Sequence, residues 1–151
     1  MDKYDSTADT LKHIQTVQAF LSFVIHRILR RMEQHDDSKL YPPEKDIFNE
    51  YTPKLKGTTY GSNEYKQYLE EMKIARDHHY KQHRHHPEHF KNGINDMNLI
   101  DIIEMVSDWK AVTLRHNDGN IYESLNINSE RFKIDSQLKA IINNTIKELN
   151  W

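Results

Sequence analysis

Apolar residues recur at helical intervals along most of this chain. The first stripe runs Leu11, Ile14, Val17, Leu21, Val24, Ile28 and Met32, in steps of three and four, and predicts a long amphipathic helix. Ser6, with Asp9 three residues on, reads as its capping box, and the pattern continues to about His35. Pro43 opens a short helix through Ile47, Phe48 and Tyr51, which Pro53 is expected to end. Lys54 to Gly61 reads as a loop broken by Gly57 and Gly61. Ser62 caps a third helix that carries Tyr65, Tyr68, Leu69, Met72, Ala75 and His79 on one face and stops before Pro87.

A fourth helix starts at Asn95 or Asp96 and turns Leu99, Ile102, Ile103, Val106 and Trp109 inward. Asn117-Asp118-Gly119-Asn120 is a turn, and Ile121 to Phe132 reads as a short helix with its connections. Asp135 or Ser136 caps a last helix with Leu138, Ile141, Ile142, Thr145, Ile146 and Leu149 as its apolar face. No stretch alternates with period two, and no internal repeat is visible. The expectation is an all-α, single-domain bundle of about five to seven helices spanning residues 1–151.

Composition narrows the classes of function. The 151 residues suit one core, and 21 Lys+Arg against 23 Asp+Glu leave a net charge of −2. That balance argues against binding a nucleic-acid polymer, which needs a basic footprint to displace counterions. There are no cysteines, so disulfides and Cys-based zinc sites are excluded. The longest apolar run, Ala19 to Ile25, is interrupted by Ser22 and is too short to span a bilayer. Met1 to Asp9 is acidic and polar, unlike a secretory signal. A cytoplasmic protein with no membrane partner is expected, its oligomeric state left open.

Histidine is the outlying component. Of the 10 in the chain, His78, His79, His83, His85, His86 and His89 fall in one short run. His79, His83 and His86 share a face if the helix lasts that far, and neutral imidazole is the commonest metal ligand. A solvated, pH-sensitive basic segment is the alternative, and two ligands at most are expected from this run. His35-Asp36, at a helix end, can present an imidazole and a carboxylate to one ion, or simply cap the next segment. His13 flanks the apolar stripe of the first helix, where a lone histidine is more often a boundary residue. Asp101, Glu104 and Asp108 line one face of the fourth helix, bordered by Met97, Ile100 and Met105. Such a stripe is usually just solvated, but one bordered by apolar residues is better explained by a bound cation or a basic partner that relieves its repulsion.

Together these pieces resemble the HD superfamily of metal-dependent phosphohydrolases. The resemblance implies a helical fold in which His13, His35, Asp36 and an acid of the fourth helix bind a divalent ion. Asp101-Ile102-Ile103-Glu104-Met105 looks like the Asp-x-x-Glu-Met element of the 5′-nucleotidase-like branch, which favours Asp101 over Asp108. His35-Asp36-Asp37-Ser38-Lys39 is similar to the His-Asp-x-Gly-Lys signature of the branch that cleaves cyclic dinucleotides, with Ser38 in place of Gly, and implies a phosphate contact for Lys39. His79 and His86 match the place of a second metal site in dinuclear branches. Most of the chain is also similar to a small HD-like family of bacterial and phage proteins with no established substrate, through His35 to Leu40, Tyr51 to Tyr65, His85 to Phe90 and Asp101 to Ala111.

The expected function is hydrolysis of a small phosphorylated nucleotide, a monophosphate or a cyclic or signalling form, in a bacterial or phage-infected cell. The cofactor would be Mn, Fe, Co, Zn, Ni or Mg, one ion or two, activating water. Lys39 and Arg84 would hold the phosphate, the latter by its forked donors, and Glu104 would orient water or a ligand. Tyr60, Tyr65 and Trp109 are candidates to stack on a base or, alternatively, to pack in the core. Two other classes compete: a non-catalytic, metal-stabilised module that binds a nucleotide or a protein, and a metal-free interaction protein using the basic segment from Lys73 to Lys91.

Overall fold

A computed structural model describes residues 4–58, 62–115 and 119–151. Among them the chain is all-helical: α1 (Thr7–Gln34), α2 (Glu44–Lys56), α3 (Asn63–Glu71), α4 (Lys73–Gln82), α5 (Leu99–Thr113), α6 (Ile121–Phe132) and α7 (Ser136–Glu148), with 3-10 turns at Asp37–Leu40, Pro87–His89 and Gly93–Asp96. No described helix is long and apolar enough to cross a membrane. Tyr60, Gly61, Asn117 and Asp118, named above as a stacking candidate, a breaker and part of a turn, lie outside the described residues.

The chain divides into two units, Met1–Gln34 and His35–Trp151. The first is α1. Its start is capped by Asp5, whose carboxylate accepts the Thr7 amide at 3.0 Å. Asp9 accepts the Tyr4 hydroxyl, so the expected Ser6–Asp9 box is replaced by two other local bonds. No residue of α1 is buried.

In the second unit, α5, α6 and α7 pack in sequence around Ile102, Met105, Val106, Trp109, Ile121, Leu125, Ile134, Ile142 and Ile146. Asn98 opens α5: its side chain accepts the Ile100 and Asp101 amides, and the Asp101 carboxylate accepts the Asn98 amide in return. That box moves the helix start from the expected Asn95 or Asp96 to Leu99. It also sets the phase of the helix, leaving Leu99 and Ile103 exposed while Asp101 and Met105 turn inward. Ile141 of α7 and Leu149 just past its end are likewise exposed, and Ile142 and Ile146 carry its buried side.

Two expectations about boundaries fail for local reasons. Pro53 does not end α2, which continues to Lys56. A proline this close to the C-terminus costs one hydrogen bond, and the following turn is closed by Gly57 and Thr58 amides on the Lys54 and Leu55 carbonyls. The single helix expected between Ser62 and Pro87 is two, broken at Met72, which is buried. No glycine or proline marks that break; burial of Met72 accompanies it.

Candidate metal centre

α4 ends at Gln82 because His83 leaves helical backbone for an extended conformation, φ −111° and ψ 118°. His79, His83 and His86 therefore do not form one helical face as expected. The turn that follows returns His85 and His86 toward α4, so that the Nε2 atoms of His79 and His86 lie 2.9 Å apart. Two imidazole nitrogens at that distance need a proton or a cation between them.

Asp36 is the point on which the rings converge. It follows α1 in the left-handed region, φ 56°, an uncommon backbone state for a residue with a Cβ and one that clusters at functional sites. Its Oδ1 lies 3.1 Å from His79 Nε2 and 3.4 Å from His85 Nε2, and its Oδ2 lies 3.7 Å from His35 Nε2. Asp108 Oδ1 is 3.8 Å from the same His35 nitrogen. Among the described residues, potential ligand atoms gather in three overlapping groups, each within 4.8 Å: Asp36, His79, His85 and His86; His35, His85 and Glu104; and His35, Asp36 and Asp108.

The opposite edges of these rings are held by carboxylates. Glu104 Oε1 lies 3.1 Å from Nδ1 of both His35 and His85. Glu44, fully buried at the start of α2, accepts from His78 Nδ1 at 2.7 Å and from His79 Nδ1 at 3.0 Å. For His35 and His79, whose Nδ1 atoms are hydrogen-bonded, a carboxylate on Nδ1 fixes the tautomer and leaves Nε2 facing inward, the usual support of a metal-bound histidine. The remaining histidines of the run bond outside the cluster: His83 Nε2 lies 2.7 Å from Ser38 Oγ, 45 positions away, and His89 Nδ1 donates to the Tyr80 carbonyl at 2.9 Å.

Charge at the site is strongly coupled. The carboxylates of Asp108 and Glu104 push the His35 imidazolium up to about 10 against the opposing effect of burial. Burial would raise Asp36, but bonds from His79, His85 and Lys39 hold it well below the usual carboxylate range. Burial, with His85 and His79 nearby, lowers His86 to about 3, so its ring is neutral and available as a ligand. Asp36 Oδ1 and both ring nitrogens of His85 are buried, with polar neighbours 3.1–3.4 Å away but none aligned as a hydrogen bond. Leaving such atoms unbonded is costly in the absence of a counter-ion. A divalent cation suits this donor set of imidazole and carboxylate.

Not every residue expected at the site is assembled there. His35, Asp36, His79, His86 and Glu104 are brought together. Asp101 is placed elsewhere: it is fully buried, bonded by Arg84 Nε at 3.1 Å and Nη2 at 2.9 Å, and committed to the α5 cap. Asp108, two turns on, supplies the carboxylate beside His35. Arg84 is thereby engaged with Asp101, its guanidinium also lying over Phe90 at 4.7 Å. Lys39 Nζ bonds Asp36 Oδ2 at 2.6 Å. His13 is an exposed residue of α1, in the first unit, and is not among the residues of the three groups above. Tyr65 is half-buried on α3, and Trp109 is a core residue with its ring parallel to Phe132. His85 and Glu44 were not foreseen. His85 is one of six histidines with no distinguishing spacing, and Glu44 reads as an ordinary acid in a first helical turn.

The centre thus defines a helical protein with a partly buried histidine–carboxylate cluster that could hold a metal ion. The chain belongs to a family of unknown function, DUF5662, whose profile matches residues 2–148. No curated protein and no solved structure matches it.

Proposed function

We propose that this protein is a metal-dependent phosphohydrolase of the HD type that acts on a small phosphorylated nucleotide. The observation that carries the reading is the inward convergence of the His35, His79, His85 and His86 nitrogens on Asp36, with the outer ring nitrogens of His35 and His79 held by Glu104 and Glu44. The His-Asp pair on which the sequence resemblance rests lies at the middle of this arrangement.

A divalent ion there would lower the pKa of water and offset phosphoryl charge. Asp36, His79, His85 and His86 would hold it, and His35 with Asp108 would serve a second ion or close the first site. Glu104 and Glu44 orient the imidazoles. Lys39 is three residues from Asp36 and would turn to the phosphate once that carboxylate is taken by a cation. In the reaction an oxygen–phosphorus bond forms from water, the ester oxygen–phosphorus bond breaks, and the proton of water ends on the leaving alcohol.

The experiment is direct. Purified protein loaded with Mn²⁺, Fe²⁺, Co²⁺ or Mg²⁺ is offered nucleoside monophosphates and cyclic dinucleotides, and multiple-turnover release of product is expected. Metal-loaded protein that releases nothing from the panel would overturn the hydrolytic reading.

One observation favours a second reading, a metal-stabilised binding module without catalysis. Both cations expected to hold phosphate are already engaged, Lys39 by Asp36 and Arg84 by Asp101. Nucleotide recovered unchanged and tightly bound would favour this reading, and multiple turnover would eliminate it.

A further inference from the structure

A cleft of about 710 Å³ lies within the second unit, its walls drawn chiefly from α5 and α6. That volume suits one small molecule. His86 and Asp108 both line it, so the candidate metal centre borders on this cleft. Trp109, Ile127 and Phe132 give the wall flat and apolar surface. Asn128, whose Nδ2 is held by the Ser124 carbonyl at 3.0 Å, keeps an amide oxygen to accept a hydrogen bond.

The charges along the wall decide what can lie there. Beyond Asp108, its described residues carry two carboxylates, Glu88 and Glu123, and one guanidinium, Arg131. Arg131 is bound to Glu88 at 2.8 Å, and its guanidinium lies 4.7 Å over the Phe132 ring. Its charge is therefore compensated, and Glu123 leaves the wall net negative. A chain of phosphates laid along this surface would meet like charge, whereas an uncharged body with hydrogen-bonding edges would meet matching surface.

We infer that the cleft selects the ester's organic part: it admits an uncharged, flat, hydrogen-bonding group carrying a single phosphate and turns away phosphate chains. Glu123 and the Arg131–Glu88 pair are the specificity-determining residues. This inference rests on the hydrolytic reading for the placement of phosphate at the metal centre.

Calorimetry of the Mn²⁺-loaded 151-residue chain at matched free Mn²⁺ tests it with adenosine and guanosine 5′-monophosphates, the corresponding triphosphates and inorganic phosphate. A monophosphate is expected to bind at least 10-fold more tightly than its triphosphate. Glu123→Lys, an exposed first-turn change combined with Glu88→Gln, is expected to narrow that gap at least 10-fold. Ile127→Trp, which fills the cleft from an exposed position, is expected to weaken monophosphate without weakening inorganic phosphate. Equal affinity for mono- and triphosphate, a gap unchanged in the double variant, or no binding by any nucleotide would overturn the assignment. Turnover of phenyl phosphate, too small to need the cleft, reports the hydrolytic reading separately. Selective monophosphate binding without that turnover keeps the cleft and removes hydrolysis; turnover without selectivity does the reverse.

Discussion

Glu44 Oε2 lies 3.0 Å from His79 Nδ1 across 35 positions of sequence, and the carboxylate is fully buried. The pair ties the first turn of α2 to the last turn of α4 and directs His79 Nε2 toward Asp36. A buried carboxylate shared by two imidazoles has few alternative partners, so the link both stabilises the packing of these helices and fixes one ring of the candidate centre.

Glu44→Gln keeps the volume but replaces one acceptor oxygen with a donor, which leaves His78 or His79 mismatched. Removal of such a supporting carboxylate typically lowers metal affinity about 10–100-fold. Titration with Mn²⁺ or Zn²⁺ is expected to give a loss of that size in the variant, with helical content retained by circular dichroism. Unchanged affinity would mean that His79 is not a ligand.

Asp101 and Asp108 are expected to separate stability from metal binding. Asp108→Asn should weaken metal binding with little loss of stability. Asp101→Asn should retain metal binding but lower stability, because a buried ionic partner of Arg84 and half of the Asn98 capping box are lost together. Breaking a buried pair costs about 3–5 kcal/mol; with Arg84 41 % exposed, a cost of about 1–3 kcal/mol is expected. Urea denaturation and metal content measured on both variants check this, and the reverse pattern would restore Asp101 as the ligand.

Chelation tests the cluster as a whole. A ligand that binds only the folded state at 100 times its dissociation constant adds about 2.7 kcal/mol of stability. For a chain of this size that corresponds to a fall in Tm of roughly 5–11 °C on removing the ion. Differential scanning calorimetry with and without chelator is expected to show it, and His35→Ala, Asp36→Ala and His85→Ala should each diminish the difference. If chelation leaves Tm unchanged, the buried atoms of Asp36 and His85 are satisfied by something other than metal.

Gly119 offers a structural test of the cleft wall. A Cβ there would sit 1.8 Å from the Thr113 carbonyl oxygen, so the chain after α5 must shift to accept alanine. Overpacking of this kind costs about 1–3 kcal/mol. Gly119→Ala is expected to lower stability by that amount and to perturb the cleft before the metal centre, because Gly119 and Asn120 line the former and not the latter. Denaturation with parallel metal titration distinguishes the two effects.

Helical periodicity and the placement of proline and asparagine determined the class of fold, since those signals act over a few residues. The same local scale explains the errors. Nothing near Met72 announces a break, and only the reciprocal bonds of Asn98 and Asp101 decide where α5 begins. His35, Asp36, His79, His86 and Glu104 were legible as candidates because histidine and acid recur at suggestive spacings. The choice among six neighbouring histidines was not legible, because it depends on how the chain turns after Gln82. The role of Glu44 was hidden for a related reason: its partners lie 34 and 35 positions away and meet it only when α2 packs on α4. Residue types therefore determined that this chain carries the side chains from which a metal site can be built, while tertiary packing alone decided which imidazoles and carboxylates face one another, because a coordination sphere is a property of distances in space.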